Sequence, residues 1–413
     1  MCRDHKAAAL RKRYRKRGGT PNRNKSANWL RDTSGSSREK SIPRIALAVT
    51  LFAFAAAACE AEATERVYYI AADTVVWDYA PSYPKNLITG KPFTRAEEVF
   101  VGAKDERIGR KYYKAVYREY TDASFATLKA RGPDEESLGI LGPIIRAEVG
   151  DGITVVFRNN TEIPAGIHPH GVFYEKSSEG AHYATDDTGP AHEHKGPSET
   201  GAQVARGGHH TYHWRVPERA GPGPSDPDSI VWLYHSHDHE AQAVNAGLVG
   251  AIIVTRAGRA RPDGRPKDVD REFVLLFMIF DETLSPYLYR NVVEFSISEG
   301  PVRRRDLEFR ESNSKHAING MLYGNLQGLS MRRGERVRWY VIGLGNENDI
   351  HTVHWHGGTA LRHGSRVDTV EVFPATTQVV DMRPDSAGTW LLHCHVSDHM
   401  TAGMMTRYTV REP

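Results

Sequence analysis

From residue 64 onward the chain alternates short apolar runs with polar turns. "VYYIAA" (67–72), "GITVVFRNN" (152–160), "LVGAIIVTR" (248–256), "REFVLLFMIF" (271–280), "RVRWYVIGL" (336–344), "TWLLHCHV" (389–396) and "MMTRYTV" (404–410) are rich in β-branched and aromatic residues. Gly, Pro and Asp turns separate them. Apolar positions at helical spacing over ten or more residues are scarce. Many short strands at this spacing predict an all-β chain of antiparallel sandwiches.

One stretch stands apart. "RAGRARPDGRPKDVD" (256–270) is polar and turn-rich and reads as a linker, which predicts two domains, 64–257 and 271–413, each about the size of one sandwich. An internal echo points to duplication: "LGPIIRAEVGDGITVVFRNN" (141–160) against "LQGLSMRRGERVRWYVIGLG" (326–345). In both, a Gly-led turn enters a strand and a histidine cluster follows. Residues 181–210 form a long polar loop within the first predicted domain.

Charge changes the picture only at the front. The chain has 413 residues and a formal net charge of +3, but residues 1–63 hold 14 Lys+Arg against 5 Asp+Glu. That leaves 40 against 46 for the rest, about −6, so a nucleic-acid-binding reading has little support. The fourteen apolar residues 45–58 are too short to span a bilayer comfortably, follow Lys40 and Arg44, and end in small residues. They predict an export signal cleaved after Ala58 or Ala63, hence a periplasmic or extracellular protein. "AAAC" is a weak lipoprotein box, so membrane attachment would require lipidation of Cys59. Cys2 and Cys59 belong to this leader, which leaves Cys394 alone in the mature body. A lone thiol in an oxidising compartment points to a metal-bound thiolate.

Four His-x-His pairs then dominate: His168–His170, His235–His237, His354–His356 and His393–His395. On a strand, residues i and i+2 face one way, so each pair is a two-toothed metal clamp. Two fall in each predicted domain, in apolar, Gly-bordered contexts, and eight imidazoles suit a cluster of several coppers. His192–His194, His209, His210, His213 and His239 lie in polar surroundings and read as solvated. Cys394 sits between His393 and His395 and points to the opposite face, which would wire its metal to the cluster through one residue on either side. With His351, His399 and Met404 it makes a two-histidine, one-cysteine set with a distant methionine, the blue-copper electron-transfer pattern.

"HTVHWHG" and "LLHCHVSDHMTAGM" resemble the multicopper oxidases, and specifically the last domain of the ceruloplasmin branch. "ESNSKHAINGMLYGNLQGLSM", "GLGNENDIH" and "DREFVLLFMIFDE" extend the likeness, and "YREYTDASFATL", "LGILGPIIRAEVGD" and "YHSH" resemble the first domain of that branch. The resemblance implies one cupredoxin-like Greek-key sandwich per domain. It implies that His168 and His354 hold the single copper of a trinuclear cluster, and that His170, His235, His237, His356, His393 and His395 hold its paired coppers. His351, Cys394, His399 and Met404 would hold the blue copper, four coppers per functional unit in all. Ser236 stands where a blue-copper domain has Cys, so the first domain would supply cluster ligands only. Glu311, His316, Glu347 and Asp398 match positions that look like the iron-binding residues of ceruloplasmin. Six domains close a ring in that branch, so a two-domain chain implies a homotrimer, with Glu347 acting across a subunit boundary.

Three readings follow: an iron(II)-oxidising enzyme using dioxygen, a laccase-like oxidase of phenols and aromatic amines, or a non-enzymatic copper-storage protein. Storage has no need of a cysteine wired between two clamps. A copper nitrite reductase is also a two-domain cupredoxin, but its catalytic copper needs three histidines, not eight.

Overall fold

The computed structural model describes residues 64–104, 106–183, 200–298 and 303–413. The leader to residue 63, including Cys2, Cys59 and the apolar run, and the His192–His194 pair lie outside them.

Strands pair into four sheets, and no sheet mixes strands from the two sides of residues 256–270. On the N-terminal side, one sheet runs Lys111–Tyr120, Glu65–Asp78, Gly152–Asn159, His209–Arg215, Phe173–Tyr174. The other runs Ile145–Glu148, Val249–Thr255, Ser229–His235, His168–Pro169. On the C-terminal side, one sheet runs Ser314–Ile318, Arg271–Asp281, Val337–Gly343, Thr377–Met382, Ala360–Arg362, Ser365–Val367. Its companion runs Ser330–Arg332, Met405–Arg411, Gly388–Cys394, His351–Trp355, Thr369–Val372. Spatial order and chain direction repeat from one half to the other. The two echoed stretches become the equivalent strand pairs Ile145–Glu148 with Gly152–Asn159, and Ser330–Arg332 with Val337–Gly343.

The sheets are not wholly antiparallel as predicted. Glu65–Asp78 runs parallel to Gly152–Asn159, and Arg271–Asp281 parallel to Val337–Gly343. Ile145–Glu148 and Ser330–Arg332 pair in parallel with Val249–Thr255 and Met405–Arg411. Alternation along a strand records which face is buried, not which way the neighbour runs. Gly152–Asn159 shows the alternation plainly: Ile153, Val155 and Phe157 are buried, and Thr154, Val156 and Arg158 between them are half-buried.

Each half has its own core, Phe157, Trp214, Tyr234 and Ile252 in one, Trp339, Trp355, Leu392 and Met404 in the other. A third cluster joins them, Val231, Leu233 and Ile253 packing with Val274, Leu276, Met278 and Tyr340. At roughly 1.5–3 kcal/mol per buried side chain, this seam makes the described residues one compact unit. Polar groups cross it too. Lys114 and Glu282 are both fully buried and paired across it.

Arg338 is the second crossing point. Its guanidinium, with no exposed surface, bonds Asp381 (2.7 and 2.8 Å), Asp268 (2.7 and 3.2 Å) and the Ser229 hydroxyl (2.7 Å). It thus ties residues 256–270 to strands of both halves. Arg338→Met is expected to destabilise the fold by about 2–4 kcal/mol, because both carboxylates lose their partner. That is less than the roughly 3–5 kcal/mol of a fully buried pair, because Asp381 is 37% exposed. Denaturant midpoints of the two proteins measure it. An unchanged midpoint would mean that water replaces the guanidinium without loss.

Candidate metal centre

Met405–Arg411, Gly388–Cys394 and His351–Trp355 are adjacent strands, and their register sets Val353 opposite Cys394 and His354 opposite His393. Strand pleat then sorts the side chains. His393 and His395 point one way, their rings 5.3 Å apart, while the Cys394 sulfur turns to the opposite face. There Sγ lies 3.9 Å from His351 Nδ1 and 3.6 Å from His399 Nδ1, and the two nitrogens are 3.2 Å apart. One ion about 2.0 Å from each nitrogen and about 2.3 Å from sulfur in a trigonal plane would set these atoms about 3.5–3.8 Å apart. The three atoms therefore fit one ion. Met404 is fully buried beside them, its carbonyl accepting from Cys394 N (3.0 Å) and its N–H donating to the His399 carbonyl (2.9 Å).

Burial pushes the Cys394 thiol up, but the His351 and His399 rings outweigh it and bring it down to about 6. The thiolate that a soft metal needs is thus available at neutral pH. Asp349, which sequence reasoning did not single out, accepts from His351 Nε2 at 3.1 Å.

The eight paired histidines form two quartets. His168 and His235 face each other across paired strands, as do His354 and His393. His170 Nε2 lies 3.1 Å from His235 Nε2, and His356 Nε2 lies 3.1 Å from His393 Nε2. Two nitrogens about 2.0–2.1 Å from one ion at an angle of about 90–110° would stand about 2.9–3.4 Å apart. The outer nitrogens are fixed by carbonyls. His168 Nδ1 donates to Glu179 (2.6 Å), His354 Nδ1 to Asp368 (3.0 Å) and His393 Nδ1 to Cys394 (2.8 Å). A carbonyl only accepts, so Nδ1 carries the proton and Nε2 keeps its lone pair for a metal. Burial, reinforced by neighbouring rings, lowers His170 to about 4 and His235 to about 3, so both are neutral ligands at pH 7. His237 and His168 rings are 5.0 Å apart, and His354 and His395 rings 5.6 Å.

Among the described residues, no ring contact joins one quartet to the other. His356 and His395 are exposed, and His168, His170 and His237 are half-buried. Glu240, also missed from sequence, brings a carboxylate within 3.8 Å of both His235 and His237.

Backbone bonds show which residues of the first half stand where the second half has Cys394, His399, Met404 and His351. Cys394 N donates to the Met404 carbonyl, and Ser236 N makes the same bond to Leu248 (3.2 Å). Met404 N donates to His399, and Leu248 N to Ala243 (3.1 Å). Ala165, three before His168, replaces His351. Ser236, Ala243, Leu248 and Ala165 offer no soft donor.

Of the residues implied for iron, His316 is buried, its ring 5.1 Å from that of His399 and edge-on to Phe100 at 5.8 Å. Its Nδ1 makes no hydrogen bond. Asp398 is exposed beside His399, and Glu311 is exposed at the end of a short helix, Leu307–Ser312. Glu311 lines a cleft of about 640 Å³ with Asp281, Glu308, Asn346 and Asn348. Glu347 is exposed between those two asparagines, so its loop borders the cleft of its own chain, whereas the resemblance places its action across a subunit boundary.

His209, His213 and His239 are exposed, as read. His210 is not: its ring packs 4.6 Å from Tyr212 and bonds the Ser177 carbonyl at 2.9 Å. Two residues before a buried tyrosine on the same strand, it shares that residue's inward face.

A family model described as multicopper oxidase matches residues 112–258 and 294–413. Mouse hephaestin is 44% identical over 352 residues, 84% of this chain and 28% of its own length. Human ceruloplasmin is 41% identical over 357 residues, 84% of this chain and 32% of its own. The human protein named ferroxidase HEPHL1 is 41% identical over 352 residues, 84% of this chain and 29% of its own. The chain thus spans less than a third of these relatives. The crystal structure of a blue copper oxidase from Nitrosomonas europaea superposes with a TM-score of 0.52 at 18% identity, covering 84% of this chain and 86% of that one. At that identity the likeness shows the cupredoxin-like fold.

Proposed function

The chain belongs to the multicopper oxidases, and from that premise we propose that it oxidises Fe(II) to Fe(III) and reduces dioxygen to water. The observation that carries the reading is the strand Gly388–Cys394, which ends in a thiolate aimed at one ligand set and flanked by imidazoles of another. Copper, when bound, supplies single-electron uptake at the His351–Cys394–His399–Met404 set and four-electron delivery to dioxygen at the histidine cluster, four ions in all.

The residues themselves provide the rest. His399 holds one nitrogen toward Cys394 and lies just under the surface beside exposed Asp398, which makes it the entry point for an electron. Cys394 is covalently joined to His393 and His395, the shortest link available between the two sets. Glu311, Asp281 and Glu308 outnumber Arg310 in the lining of the cleft and give it a hard, net negative wall suited to Fe(II) and better suited to Fe(III), which favours loss of the electron. The ferroxidase name of one relative supports iron as substrate.

We also infer a homotrimer in which the quartet of one copy meets the other quartet of the next. Half-exposed, separate quartets support it. Head-to-tail contacts of this kind close a ring when the rotation allows. The apolar run at 45–58 supports export of the protein.

Glu311→Ala tests the substrate, since an exposed side chain is removed without opening the core. Turnover of Fe(II) is expected to fall about 100-fold, a loss of roughly 2.7 kcal/mol, while turnover of a bulky phenol holds. Equal losses on both substrates, or none on iron, would favour a laccase-like oxidase instead.

A further inference from the structure

We propose that Asp349 is a positioning residue that locks the His351 ring and, through its charge, sets the reduction potential of the blue site. The inference rests on the copper reading above. Asp349 has no exposed surface. Its Oδ1 accepts from His351 Nε2 (3.1 Å) and from Ile279 N (2.6 Å), and its Oδ2 accepts from Asn346 N (2.8 Å). Ile279 belongs to the strand Arg271–Asp281, in the sheet facing the one that carries His351. Two separate segments of backbone therefore hold the carboxylate in place.

Gly345 completes the cage. It has φ +125°, a conformation L side chains rarely adopt, and a Cβ there would collide with the Asp349 carboxylate. This is a built site, not a loop acid that happens to face a ring.

The consequence for His351 follows from donor and acceptor rules. A carboxylate accepting three N–H bonds only accepts, so Nε2 must carry the imidazole proton. Nδ1 then keeps its lone pair, and it is Nδ1 that faces Cys394 Sγ and His399 Nδ1. The ring has one tautomer and one orientation before any metal arrives. Asp349 also places a full negative charge one ring away from the metal position, screened from water. Negative charge there favours the more positive, oxidised copper and so lowers the potential. His399 is in a different position: its ring packs against His316, and it is 7% exposed where His351 has no exposed surface. Asp349 therefore acts on the buried ligand: the backbone of Ile279 and Asn346 that holds it also walls the cleft, but its own carboxylate has no exposed surface to offer a substrate there.

The test compares copper-loaded wild type with Asp349→Asn and Asp349→Ala. Asparagine keeps an oxygen that accepts from Nε2 but carries no charge. Asp349→Asn is expected to stay blue and to shift its redox equilibrium with a one-electron reference couple at least tenfold toward the reduced form, about 59 mV. Turnover with Fe(II) and with a phenol should change by the same factor and KM should not move. Asp349→Ala frees the ring, and its copper affinity is expected to fall about 10–100-fold with loss of band intensity. An Asp349→Asn protein that is blue with an equilibrium within twofold of wild type overturns the proposal alone. A copper-loaded wild type with no blue band overturns the copper reading and this proposal with it.

Discussion

Replacing Cys394 with serine is expected to abolish both the intense thiolate-to-copper absorption and dioxygen uptake, while the protein stays folded. Cys394 is fully buried and is the one cysteine among the described residues. Nothing else near His351 and His399 can supply a thiolate. A serine hydroxyl is a hard, protonated donor at neutral pH and offers no soft, polarisable ligand to the metal. It would also remove the sulfur through which, in the proposed function, an electron passes to His393 and His395. The structural cost is modest, about 1–3 kcal/mol for burying a hydroxyl, since His351 and His399 remain beside it as partners. Absorption spectra and oxygen-uptake rates of the copper-loaded variant measure the effect. An intense blue band surviving the substitution would remove Cys394 from the metal site.

Much of this site was legible in the sequence because its chemistry is local. His-x-His on a strand is a clamp whatever the rest of the fold does, and Cys394 between two such histidines needs only the strand pleat to separate the two sites. Duplication was legible as well, because the echo at 141–160 and 326–345 preserves both the turn and the strand after it.

What stayed hidden depends on long-range packing. Asp349 stands in "GNENDIH", which reads as a polar loop; its burial comes from Ile279, seventy residues earlier in the chain, and from the bend at Gly345. In the first half, Ser236 in place of Cys394 was legible, but the counterpart of Met404 was invisible by simple offset. Its helix Glu240–Ala246 is two residues longer than Ser397–Thr401, so the counterpart of Met404 is Leu248, twelve after Ser236, not ten. Parallel pairing leaves no local mark, because direction is decided by the connection and not by the strand.

The proposed sharing of the cluster between copies makes a sharp prediction for mixed subunits. One variant carries His168→Ala and His170→Ala, and lacks the first quartet's clamp. The other carries His354→Ala and His356→Ala, and lacks the second's. Each alone should be inactive, since every junction then contains one defective quartet. In an equal mixture refolded together, a junction works when it takes the intact first quartet from one chain and the intact second quartet from the next. Random assembly into closed head-to-tail rings gives that arrangement at about a quarter of junctions. His351, Cys394, His399 and Met404 are untouched in both variants, so each repaired junction keeps the proposed electron entry.

The most direct measurement of the account is therefore oxygen uptake with Fe(II) by that copper-loaded mixture, beside wild type and the two separate variants. Near-zero rates are expected for each variant alone, with recovery to about a quarter of the wild-type rate in the mixture. A mixture no more active than the sum of its two components, with wild type fully active under the same conditions, would contradict a cluster shared between neighbouring chains.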